Sequence, residues 1–132
     1  MAQTSTIRTM GDEQWVLFIA ADGPAGSAGP TTASTVSSDC LSLDVADALA
    51  LLRAEPLSVR AIVVSGDGES ARTHALLADV KSLAPRLPIV FLDARESAVS
   101  EVTIRRTGVH YYTHAAASTS EISAVLHALA TE

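Results

Sequence analysis

With 132 residues, 48% hydrophobic and 18% charged, the chain has room for one domain around one modest core and is too apolar to be a disordered tail. A formal charge of −6 disfavours nucleic acid and anionic membrane as partners, since both require a positive surface, and the short Arg105-Arg106 pair is too small to reverse that balance. A single cysteine, Cys40, excludes an intramolecular disulfide and fits a reducing compartment, where it reads as an inert thiol in an apolar stretch.

Residues 1–13 are polar and aperiodic, and are expected to form a loose tail ahead of a domain over 14–132. They lack the order of a signal peptide, and no run of 18 apolar residues follows, so a cytoplasmic location without a membrane span is expected. WVLFIAA (15–21) is apolar throughout, as a strand covered on both faces must be. A Gly- and Pro-rich segment and then TTASTVSSD (31–39) allow at most a weak helix, because hydroxyl and β-branched side chains compete with it.

CLSL (40–43) reads as a short second strand, and Asp44 as the N-cap of a helix over 45–55 that Pro56 stops. VRAIVVSG (59–66) is the third strand and 69–84 the next helix, ended by Pro85. LPIVFLDA (87–94) is the fourth strand. A helix over 96–106 is closed by Gly108, and VHYYTH (109–114) is the fifth strand. A last helix over 118–130 carries Ser118 and Glu121 at capping-box spacing. Strand–helix alternation with short connections predicts an α/β fold: a doubly wound five-stranded parallel sheet in a flavodoxin-like, three-layer sandwich.

In such sheets ligands gather beyond the carboxyl ends of the strands. That rim receives Ala20, Ala21 and Asp22 after the first strand, Ser65, Gly66 and Asp67 after the third, Asp93 after the fourth and His114 after the fifth. Asp22, Asp67 and Asp93 are the one carboxylate set that could hold Mg²⁺, although aspartate is equally at home there as a cap. His74, His110, His114 and His127 make no zinc-type spacing with Cys40, so no metal is expected. Ser65 lies in VVSGDG rather than a nucleophile elbow, and the glycine-rich 23–29 segment lacks the order and the lysine of a phosphate loop. No catalytic set and no cofactor site can be assembled from these residues.

The spacing of RAIVVSG (60–66), LPIVFLDA (87–94), VADALALLRAE (45–55) and GVHYYTHAAASTSEISAVLHAL (108–129) resembles the bacterial response-regulator receiver domain, a CheY-like fold, over residues 15–130. The resemblance implies a degenerate pocket. The acidic pair that holds Mg²⁺ falls on Ala20 and Ala21, with Asp22 beside them, and the phosphoacceptor aspartate falls on Ser65. The phosphoryl-sensing hydroxyl falls on Asp93, the phosphate-pairing lysine on Ala115 and the following proline on Ala116, while the switch aromatic is retained as Tyr112. Alanines cannot chelate, and serine is a poor acceptor for the aspartyl-phosphate route. The resemblance therefore implies a pseudo-receiver that works without phosphorylation in signal transduction, and that binds a protein partner or self-associates as a homodimer. Receivers signal through the last strand and its two flanking helices, here residues 96–130, with Arg105, Arg106, His110, Tyr111 and Tyr112 as candidate interface residues. Tyrosine and arginine are frequent binding hot spots. The alternative is a small-ligand or nucleotide sensor that uses segment 23–29 and the rim carboxylates, and an open rim would favour it.

Overall fold

Strand runs without polar alternation need cover on both faces, and the computed structural model provides it. It describes residues 15–21, 40–94, 97–114 and 119–130. Strands β1 (Trp15–Ala20), β2 (Cys40–Leu43), β3 (Val59–Gly66), β4 (Ile89–Asp93) and β5 (Tyr111–His114) form one parallel sheet in the order β2-β1-β3-β4-β5. Helices α1 (Val45–Ala54), α2 (Ala71–Leu83), α3 (Ala98–Arg105) and α4 (Thr119–Ala130) alternate with the later strands, as expected for a doubly wound sandwich. The 1–13 tail, Asp22, the 23–29 segment, the helix considered over 31–39, Ala115, Ala116 and Ser118 lie outside the described residues.

Successive strand residues point to opposite faces, so each strand feeds two cores. Leu17, Ile19, Ile62, Val64, Ile89 and Phe91 pack with Ala48, Leu52, Leu77, Val80 and Ile104 of α1, α2 and α3. Val16, Phe18, Val63, Val90 and Leu92 pack on the other face against Ile122 and Leu126 of α4. Half-buried Cys40 packs against this second cluster, in keeping with a structural thiol.

Side-chain caps set the helix starts. Asp44 accepts from Asp47 N at 2.8 Å at the head of α1, as the sequence predicts. In α2 and α3 the cap is the serine of a Glu-Ser pair, so both helices begin two residues later than expected. Ser70 accepts from Arg72 N, and Ser97 accepts from Ser100 N. Pro56 ends α1 and opens a single 3-10 turn, Pro56–Ser58. Gly108, at φ 95°, makes the left-handed turn after α3 that lets the chain enter β5.

One core position is imperfect. Thr73, in the first turn of α2, is 0% exposed, and its hydroxyl has no hydrogen-bond partner among the described residues. Thr73→Val keeps the shape and removes that orphan, so it should stabilise the fold by about 1 kcal/mol in urea denaturation.

Candidate functional site

The register brings the rim residues level with one another. Ala20 pairs with Ser65, Gly66 with Asp93, and Asp93 with His114. Ala21 N donates to Ser65 O at 2.8 Å, which closes the backbone between the ends of β1 and β3. Ala94 N does the same to Gly66 O across β3 and β4.

Asp93 is the centre of the described rim. It is 1% exposed, and its carboxylate collects donors from three separate elements: Gly68 N at 3.0 Å from the loop after β3, the Ser100 hydroxyl from α3, and the Tyr112 hydroxyl from β5. A buried charge requires such company, because charge-assisted hydrogen bonds offset part of its desolvation. Ser100 is itself fully buried, one helical turn beyond the Ser97 cap, where the apolar stripe of α3 faces the sheet.

Gly68 can approach the carboxylate because it has no side chain. A Cβ there would run into the Ser100 hydroxyl and sit 2.6 Å from Asp93 Oδ2. Gly68→Ala should therefore destabilise the fold by about 1–3 kcal/mol, read by thermal or urea denaturation. His74 fastens the same loop, its Nε2 donating to Gly68 O at 2.8 Å. Ser97 Oγ donates to Glu69 Oε2 at 3.2 Å and joins that loop to the head of α3.

The Tyr112 ring completes the site. It stacks on Phe91 at 6.2 Å, meets His114 edge-on at 6.0 Å, and lies 5.6 Å beneath the Arg105 guanidinium. Burial, then the hydrogen bond to Asp93 and its negative charge, push the phenol up to about 12.

This placement corrects one of the interface candidates. Tyr112 is 6% exposed with its hydroxyl turned onto Asp93, so in this conformation it is core and not contact surface. Strand alternation puts Tyr111 on the opposite face, half-buried, with its hydroxyl donating to Glu121 Oε2 of α4 at 2.7 Å. That bond to a carboxylate raises the Tyr111 phenol above its usual range. The two tyrosines thus do not form one patch. Arg105, Arg106 and His110 are exposed, Arg105 in an ion pair with Glu101 at 2.8 Å, and His110 Nδ1 accepting from Ile89 N at 3.1 Å.

Of the carboxylates considered for Mg²⁺, the two that are described, Asp67 and Asp93, have other occupations. Asp67 Oδ1 accepts from Glu69 N at 2.8 Å in a turn, and Asp93 is engaged as described. Among the described residues no group of three His, Cys, Asp or Glu side chains is placed to hold a metal ion. Nor is any described helix long and apolar enough to cross a membrane.

The sequence matches no protein-family model and no curated protein. Solved structures do match. A receiver domain protein (CheY-like) from Methanospirillum hungatei superposes with a TM-score of 0.67 at 12% identity, over 89% of this chain and 97% of that one. The chain has the receiver fold. Two further structures with this fold are a Burkholderia thailandensis protein described as a pilus assembly protein (cpaE) and a CheY-like protein (tadZ) from Pseudomonas aeruginosa. The first has a TM-score of 0.69 at 16% identity, over 90% of this chain and 99% of that one. The second has a TM-score of 0.61 at 17% identity, over 89% and 94%. At these identities the likeness is one of receiver fold alone. Within that fold, the partners of Asp93 were invisible to sequence reasoning. Neither Gly68 nor Ser100 stands out in the sequence. The three-residue spacing of Ser97 and Ser100 was the available sign, since it places Ser100 on the side of α3 that turns inward.

Proposed function

We propose that this chain is a receiver-fold regulatory module that works by binding a protein and not by phosphoryl transfer. The observation that carries the proposal is the engaged Asp93 carboxylate at the described rim. Where the resemblance to receivers sets a phosphoryl-sensing hydroxyl, a buried carboxylate already holds Gly68, Ser100 and Tyr112. An incoming phosphoryl group would meet like charge there, with Ser65, Ala20 and Ala21 in the positions that resemblance gives to the acceptor and the metal ligands.

The surface offered to a partner is the exposed side of α3. Val99 is 67% and Val102 49% exposed, one turn apart, beside exposed Arg105 and Arg106. Apolar anchors flanked by arginine suit a protein interface. The pilus-assembly description of the Burkholderia thailandensis structure points to an assembly apparatus as the setting. The ligand-sensor alternative needs an open concavity, and the part of the rim around Asp93 is filled. A cytoplasmic location is part of the proposal.

The test is crosslinking in the native cell followed by purified reconstitution, comparing wild type with a Val102→Glu/Arg106→Ala variant. A defined partner that binds the wild type and is lost in the variant supports the module and its surface. Partner binding that is equal in both moves the interface elsewhere on the domain. Specific binding of a nucleotide, with no protein partner, overturns the proposal in favour of the sensor.

A further inference from the structure

We infer that Asp93 is an internal clamp that fixes the position of α3, and with it the exposed Val99 and Val102 face, by tying that helix to the loop after β3 and to β5. The importance of that face rests on the interaction-module reading; the clamp itself does not. Three observations carry it.

First, the donors come from elements far apart in sequence. Gly68, Ser100 and Tyr112 stand 25, 7 and 19 residues from Asp93. Second, all three are donors to one carboxylate. Oδ1 serves the loop while Oδ2 serves both hydroxyls, so no single element can move without surrendering a charge-assisted bond in a buried site. Third, each arm is seated independently. Tyr112 is stacked on Phe91, Ser100 follows the Ser97 cap that also reaches Glu69, and Gly68 is held through its carbonyl by His74.

Helix α3 needs such a tie. It is 8 residues long, too short to persist on its own propensity, and only Ser100 and Ile104 are its buried residues. A short helix with so small an apolar footing would otherwise shift along the sheet. Asp93 acts as a positioning residue: buried at 1% exposure, it sets where the partner-facing side chains stand.

The experiment is native-state hydrogen exchange on the intact chain without any partner, comparing wild type, Tyr112→Phe and Asp93→Ala. The amides of Ile62 and Val63, deep in β3, serve as internal reference. Tyr112→Phe keeps the ring and its stacking and removes one donor from the clamp, so it decides the matter even if Asp93→Ala fails to fold. Relative to the reference, exchange in α3 should rise about threefold or more in Tyr112→Phe, and about tenfold or more at α3 and Gly68 in Asp93→Ala. If α3 and Gly68 exchange in step with the reference amides in Tyr112→Phe, the carboxylate does not couple these elements and the clamp is overturned. Since no partner is present, that failure would leave the interaction-module reading to its own test.

Discussion

Asp93→Ala should lower the unfolding free energy by about 3–5 kcal/mol, a large share of what a domain of this size possesses. The cost comes from what is left behind. The Gly68 amide and the Ser100 and Tyr112 hydroxyls would stay buried with their common acceptor gone. A methyl group also leaves a void at a position only 1% exposed. Asp93→Asn should cost less, because its amide oxygen can still accept from Gly68 N, while the two hydroxyls can rotate to accept from the amide nitrogen. Urea denaturation of the three proteins gives the order wild type, Asn, Ala. An Asp93→Ala loss below about 1 kcal/mol would show that the carboxylate contributes little beyond its own desolvation cost.

The second large effect is alkaline. Tyr112 titrates at about 12 in the folded chain against 10.0 for an unhindered phenol, so the unfolded chain gives up this proton first as pH rises. The stabilisation is therefore complete below pH 10 and is lost as pH climbs through 12, by about 2–3 kcal/mol in all. The chain has two tyrosines, so a Tyr111→Phe background leaves one tyrosinate absorbance to follow. In that background the phenol should ionise near pH 12 or together with unfolding. In Asp93→Asn the same phenol should ionise earlier, as the charge next to it is gone while the burial remains. Ordinary titration near pH 10 in a folded Tyr111→Phe protein would place Tyr112 in solvent.

The fold was legible because a parallel sheet buried on both faces leaves a simple trace. WVLFIA and VRAIVVSG carry unbroken apolar middles, and β3 spans the residues that its composition marks, Val59–Gly66. Ends were less legible where two residues compete to cap. In Glu69-Ser70 and Glu96-Ser97 the serine hydroxyl takes the helix amides, which shifts each start inward. The rim position of Asp93 followed from the end of β4, but its role did not. A carboxylate at a strand end looks the same in sequence whether it caps a turn, as Asp67 does, or gathers hydroxyls from two other elements. Alternation along YYTH turns Tyr111 and Tyr112 to opposite faces, which their grouping as one set of interface residues left out. Which one entered the larger core was settled by Phe91, its neighbour across the β4–β5 register.

A receiver fold whose rim carboxylate, Asp93, is satisfied from within should ignore what an ordinary receiver would accept. The purified chain would be incubated with a small-molecule phosphodonor and Mg²⁺, and followed by intact mass and by its amide spectrum. The expected result is an unchanged mass and unmoved resonances from Gly68, α3 and Tyr112. A phosphoryl group carried on an aspartate, together with shifts through α3 and Tyr112, would contradict it.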